Sequence, residues 1–161
     1  MTSRTIHSSV QILLSLVGSG IAGFLYREHI TGSSIPCING SEGCNIVDAS
    51  HWSSFHGIPV SLFGVTAYVA LLFCAVIKLT ADSEKLASRI AWLMLLITSA
   101  GVVVSWIYQY IAKFLIGAFC IWCRSSAITM TLLFIVALVE VLSIVRLSRK
   151  GRELLEQPEI S

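Results

Sequence analysis

The stretch from Phe114 to Val139 reads FLIGAFCIWCRSSAITMTLLFIVALV, and Arg124 is its one charge. About 20 apolar residues in a helix cross roughly 30 Å of hydrocarbon, so the stretch is read as a membrane span. Three further uncharged runs have the same character: Thr5 to Tyr26, Ala49 to Ile77 and Ile90 to Ala112. Of 161 residues, 55% are hydrophobic and 12% charged, against about 25% charged in a soluble domain. That balance excludes an ordinary water-soluble globule. The predicted fold class is all-α: an integral membrane four-helix bundle with transmembrane helices over about 9–26, 58–78, 89–113 and 119–146. Residues 1–161 are read as a single domain with one exoplasmic loop of real length, 27–57.

Charge placement sets the expected orientation. Arg4, Lys78, Lys85, Arg89, Arg146, Arg149, Lys150 and Arg152 flank one side of the four runs, and Arg27, Lys113 and Arg124 the other. Basic residues gather on the cytoplasmic side, which puts both termini there. A net charge of +2 gives no reason to expect a nucleic-acid partner, and membrane lipid is the expected surrounding. Arg4 ahead of an apolar run has the look of an export signal. The run from Val10 to Tyr26 is longer than the usual signal core of about 7–15 residues, so a retained first helix is predicted.

Within the helices, Gly18, Gly20 and Gly23 have the small-residue spacing that admits a close neighbour. Thr31 to Pro36 and Asn39 to Gly43 are turn formers. Asp48 is read as the N-cap of a short segment through Phe55, with Trp52 and Phe55 at the membrane surface. Gly57-Ile58-Pro59 opens the second span, and a tight turn near Phe114 to Ala118 joins the third to the fourth. Glu140 follows Cys120 by about 30 Å of helix, which places it near the inner surface.

The cysteines carry the chemistry. Cys37 and Cys44 lie in the loop, Cys74 within the second span, and Cys120 and Cys123 form Cys-Ile-Trp-Cys at the start of the fourth. Counting crossings from a cytoplasmic start puts both pairs outside, where disulfides persist. At a helix start, unpaired amides and the helix dipole favour a thiolate. Cys123 sits about 4.5 Å deeper than Cys120, so the deeper sulfur is nearer a lipid-dissolved acceptor and the shallower one nearer the loop. A relay follows: an outside dithiol reduces Cys37–Cys44, the loop swings to exchange with Cys120, and Cys123 passes electrons into the membrane. The same spacings suit static disulfides bracing a non-catalytic membrane subunit, and four cysteines suit zinc. Cys74 is read as a small buried hydrophobe.

The combination resembles the vitamin K epoxide reductase family, in its bacterial disulfide-forming branch without a fused thioredoxin domain. The resemblance rests on Pro36-Cys37-Ile38-Asn39-Gly40-Ser41-Glu42-Gly43-Cys44 and Ser50-His51-Trp52. Phe55-His56-Gly57-Ile58-Pro59-Val60-Ser61-Leu62-Phe63-Gly64 and Phe119-Cys120-Ile121-Trp122-Cys123 complete it. It implies a bundle around a quinone, whether ubiquinone, menaquinone or a phylloquinone type, with Cys120 and Cys123 as the catalytic pair and Cys37 and Cys44 as the shuttle pair. It also implies a thioredoxin-fold dithiol partner outside a bacterial inner membrane, expected as a separate protein because the chain stops at Ser161. Animal members carry a tyrosine four positions after the second motif cysteine, where this chain has Ala127, and an asparagine where it reads Pro59-Val60-Ser61. Ordinary quinone reduction is therefore expected rather than epoxide reduction. For the ring, Phe55, Ser61, Phe63, Tyr68 and Ser126 are the candidate contacts, with no metal. Arg124 is read as facing a sulfur anion or as snorkelling outward, and His51 and His56 as solvated loop residues or proton donors.

Overall fold

The computed structural model describes residues 3–37 and 42–156. Four long helices dominate: α1 (Ser3–Thr31), α3 (Val60–Thr80), α4 (Glu84–Ile111) and α5 (Ile121–Glu156). Between α1 and α3 lie a short helix α2 (Gly43–Asp48), a 3-10 turn (His51–Ser53) and two paired strands, β1 (Ser54–Phe55) and β2 (Ile58–Pro59). All four long helices have the length and hydropathy to cross a membrane. α1 packs on α3 and α5, and α4 packs on α5 and α3, so the helices close a ring. The described segment after α1 and the turn before α5 meet at one end, where Ile35, Cys44 and Cys120 form one buried cluster. We call this the sulfur end, and the other the terminal end.

The packing is inverted relative to a soluble bundle. Leu13, Phe73 and Leu96 are each more than 60% exposed, whereas Ser8, Gln11, Ser15, Ala75, Ala91, Ala127 and Ala137 are buried. In lipid there is no hydrophobic gain from hiding leucine, so small and polar residues line the helix contacts and let backbones approach. Gly18 shows the consequence: a Cβ there would come within 2.2 Å of the Tyr68 ring, while Gly20 and Gly23 meet nothing within 4 Å. Of the three predicted contact glycines, one makes the contact. The central core is Ala22, Tyr68, Leu71, Ala75, Met94, Met130 and Leu133.

Several expected boundaries move, each for a local reason. α1 carries on past Tyr26 to Thr31, ending where Gly32 adopts φ 64° and the Ser33 amide bonds the Glu28 carbonyl at 3.2 Å. That left-handed closing turn is the usual helix stop. Asp48, expected to start a segment, instead ends α2, and the Ser50 hydroxyl bonds the Val47 carbonyl at 2.6 Å. Beyond it the chain makes a two-residue hairpin, pairing Phe55 with Ile58. His56 and Gly57 at its tip both have positive φ, 50° and 80°, matching the twist of the flanking strands. Ile58 and Pro59 are thereby used as strand, so α3 starts at Val60. α4 runs into a wide π-type turn, Ala112–Ile116, closed by the Ala118 amide on the Ala112 carbonyl at 3.0 Å. The turn formers Asn39, Gly40 and Ser41 lie outside the described residues.

Lys78 corrects the charge reading. Taken as a flanking charge, it is wholly buried inside the bundle. Its Nζ lies 2.6 Å from Glu140 Oε2 and also donates to Gln11 Oε1, while Gln11 Nε2 donates to Glu140 at 3.2 Å. An ammonium in the interior persists because a carboxylate and an amide satisfy it. Glu140, its carboxylate partner, is almost fully buried among the helices as well.

Candidate active site at the sulfur end

The Cys-Ile-Trp-Cys motif sits at a helix start that the local sequence builds. Gly117 at φ 70° ends the preceding turn, and α5 opens at Ile121, which makes Cys120 the capping residue. Its carbonyl accepts from the Arg124 amide at 3.1 Å and its Sγ accepts from the Cys123 amide at 3.2 Å. Sulfur thus plays the part that a serine oxygen plays at an ordinary N-cap. The Cys123 thiol beside it and the Cys123 and Trp122 amides hold the Cys120 thiol below its ordinary range, against burial and the charge of Asp48. The neighbouring thiol and the first-turn amides are the groups that favour the anion there.

The loop pair is pinned against this helix start. Cys37 and Cys44 are joined as a disulfide with Cα atoms 6.3 Å apart, and Cys120 and Cys123 are free. Three contacts fix the loop, and a ring contact between α1 and α5 backs the first. The Trp122 indole donates to the Pro36 carbonyl at 2.9 Å, and its ring packs on Phe24 with centroids 4.9 Å apart. The Ile35 amide donates to Asn45 Oδ1 at 2.6 Å. Gly43 lies against the backbone of Phe119, whose carbonyl oxygen would be 2.3 Å from any added Cβ. Cys44 and Cys120 are consequently buried together, with Cys37 and Cys123 packed on them.

Below the sulfurs lies a cavity of about 500 Å³, walled largely by apolar side chains. Cys44, Cys120 and Cys123 are all on its wall, as are Ser61, Phe63, Tyr68 and Ser126 from the sequence reading. The Tyr68 hydroxyl donates to the Ser126 carbonyl at 2.7 Å and lies 3.1 Å from Ser126 Oγ. Ala127, next in the chain, is buried, so at this level of the bundle a phenol comes from α3 where animal members have one on α5. Phe55 does not share the wall: its ring is 60% exposed and packs on His56 at the hairpin tip. His51 and His56 are exposed too, and Arg124 turns outward, its guanidinium 5.3 Å from the Phe119 ring centroid.

Sequence reasoning named no wall residue from the third span. Gly101, Val104, Ser105, Tyr108, Gln109 and Ala112 line the cavity from α4 and the turn after it, and their spacing of three and four is one helix face. Ser105, Tyr108 and Gln109 were legible as polar groups on one stripe of an apolar span. Trp52 and Asp48 also face the cavity. With Cys37 and Cys44 bonded to each other, the four sulfurs are two couples rather than one thiolate set, and no metal-holding group of three or more His, Cys, Asp or Glu occurs among the described residues.

One comparison with known proteins bears on this geometry: the model of the Vitamin K epoxide reductase family matches residues 9–138. The matched stretch contains all four long helices in whole or part and both sulfur couples. Members of the family are membrane thiol oxidoreductases, generally linked to quinones and to thioredoxin-like partners. Four apolar helices closing around a Cys-x-x-Cys helix start and a loop disulfide are thus accounted for together, and the chain belongs to the vitamin K epoxide reductase family.

Proposed function

We propose that the protein is a thiol:quinone oxidoreductase that reoxidises an exported dithiol protein of thioredoxin fold. The observation that carries this reading is the shared wall: Cys44, Cys120 and Cys123 all border the one apolar cavity at the sulfur end. Electrons enter at the Cys37–Cys44 disulfide, pass by thiolate attack to Cys120 and Cys123, and leave to a quinone in that cavity. Cys37 is the less buried of the loop pair, so it meets the partner, and Cys44 meets Cys120. Because Cys44 already packs on Cys120, the relay needs a short displacement in place of the long loop swing expected from sequence.

The cavity suits a quinone head in size and character, since ligand pockets of roughly 300–1,000 Å³ are mainly apolar with a few placed polar groups. Phe63 and Trp52 on its wall offer ring faces, and Ser61, Tyr108 and Gln109 offer hydrogen bonds to ring oxygens. A bound quinone supplies an acceptor for two electrons and two protons. The chain's part is to hold the ring beside Cys123, to keep water from the sulfurs, and to keep Cys120 as thiolate. Both termini lie in the cytoplasm and the sulfur end faces the periplasm of a bacterial inner membrane, a reading that seven flanking basic residues against three support once the buried Lys78 is set aside. Purified protein in native lipid, given a reduced thioredoxin-fold protein and a quinone, should bleach the quinone absorbance. Cys120→Ala and Cys123→Ala should each abolish the bleaching, and full partner oxidation by either variant refutes the assignment. A non-catalytic brace would show one fixed disulfide pattern on thiol trapping, whereas a relay shows interchanging pairs.

A further inference from the structure

Asp48 has no part in the relay described above, yet it stands among the sulfurs. It closes α2 one turn after Cys44, and residues four apart share a helix face. Asp48 and Cys44 both reach the wall of the sulfur-end cavity, which Cys120 and Cys123 at the head of α5 also line. From α1, His29 brings Nδ1 to 2.9 Å from Asp48 Oδ1, the imidazole nitrogen donating. Both side chains keep contact with solvent, at 24% and 31% exposure. The pair therefore has one side at the sulfur-end cavity and the other open at the protein surface. Of the remaining charges nearby, Arg124 is turned away over Phe119, and Arg27 lies out in solvent, 3.9 Å from Glu28.

A carboxylate here is electrostatically awkward. Its charge opposes the thiolate that the helix start promotes at Cys120. An acid that only braced the loop would be better replaced by a neutral amide of the same shape. The position makes chemical sense if the carboxylate takes up a proton during the reaction.

We propose that Asp48, held in place by the positioning residue His29, is the proton-transfer group for sulfur exchange between the loop pair and the Cys120–Cys123 couple. With the loop reduced and the Cys120–Cys123 couple oxidised, the Cys44 thiol gives its proton to Asp48. The Cys44 thiolate attacks Cys120 Sγ, the Cys44–Cys120 bond forms, and the Cys120–Cys123 bond breaks with its electron pair on Cys123. Asp48 returns the proton to the departing sulfur or to solvent through His29. The Cys37 thiol then displaces Cys120, closing Cys37–Cys44. The two loop thiols are oxidised to a disulfide, the Cys120–Cys123 disulfide is reduced to two thiols, and the two protons lost by the loop pair are regained by Cys120 and Cys123.

Given the relay proposed above, this step runs without quinone or partner, so it is tested apart from them. Cys37→Ser protein, oxidised at Cys120–Cys123 and held in acid, is jumped to higher pH. Formation of the Cys44–Cys120 cross-link is then followed by acid quench and mass spectrometry. Asp48→Asn should slow cross-linking by about 10²-fold, the size of a general acid–base contribution. The residual rate should climb with hydroxide, and Asp48→Glu should restore most of the loss. In the same Asp48→Asn protein, fully reduced, alkylation of Cys120 should begin at lower pH, because a negative charge has gone. Slower exchange alongside a more acidic Cys120 separates proton transfer from simple electrostatics. Exchange by Asp48→Asn as fast as the parent overturns the proposal, and so does an Asp48→Glu variant no better than Asp48→Asn. If Asp48→Asn does not accumulate in the membrane, His29→Ala must slow the same exchange, and an unchanged rate overturns it. A negative result leaves quinone bleaching intact, whereas absent bleaching with normal cross-linking indicts the quinone reading instead.

Discussion

At the scale of single residues, Cys120 is where sequence and chemistry meet most directly. Its thiol lies below the ordinary range first because of the Cys123 thiol, and then through the Cys123 and Trp122 amides. Cys123→Ala deletes the first of these and should move the onset of Cys120 alkylation to higher pH. The sign follows from the state favoured: a donor to the thiolate lowers the thiol pKa, and its loss raises it. A pH series with a small alkylating reagent reads this directly. Gly43 is the second residue whose identity is dictated by contact. Any side chain there must displace the Phe119 carbonyl, and backbone cannot yield as a flexible side chain would. Gly43→Ala should lift Cys44 from Cys120 and slow their exchange by about 10²-fold, the cost of misplacing reacting atoms by roughly 1 Å. Quenched cross-linking measures it. The amide contacts at Cys120 were legible from a Cys-x-x-Cys at a helix start, but the Gly43 contact was not, since a glycine among turn formers is ordinarily read as loop freedom.

Among the elements, the spans were legible because hydropathy over 20 residues outweighs local detail, and their ends were not. The stop of α1 depends on one left-handed glycine, Gly32, and the start of α3 on a hairpin whose two strands are only two residues long. A pair of that length carries no periodic signal. The α4 face of the cavity was legible in principle as Ser105, Tyr108 and Gln109 on one stripe. The buried Lys78 shows the opposite case: a basic residue close to a helix end is normally flanking charge, and only packing against α1 and α5 reveals its partners Gln11 and Glu140. This cluster ties three helices at the terminal end. Lys78→Met would strand the Glu140 carboxylate and should cost about 3–5 kcal/mol, whereas Lys78→Met with Glu140→Leu should recover most of the loss. Unfolding of both variants in the same detergent tests the pair, and equal destabilisation would show that its charges are not coupled.

For the whole molecule, the ring of helices does one thing that no element does alone: it brings residues from four segments onto one wall. Ala22 from α1, Cys44 from α2, Ser61 from α3 and Tyr108 from α4 all border the space that Cys120 and Cys123 face. The sulfurs thereby acquire an order. Cys37 is the less buried of the loop pair, Cys44 and Cys120 are packed together, and Cys123 follows about one helical turn along α5. That order predicts which bonds form if the proposed relay is stopped half-way. In a Cys37→Ala, Cys123→Ala protein the two remaining members of the couples are the packed ones, and a Cys44–Cys120 bond should form readily on mild oxidation. In a Cys44→Ala, Cys123→Ala protein, the seating of Gly43 on Phe119 keeps position 44 against Cys120 and leaves the less buried Cys37 at the edge of the cluster, so a Cys37–Cys120 bond should be scarcer than Cys44–Cys120. Peptide mass spectrometry of the two proteins distinguishes the cases. Equal yields would mean that the loop is free to turn over, and the pinning contacts would then have no part in directing electrons inward.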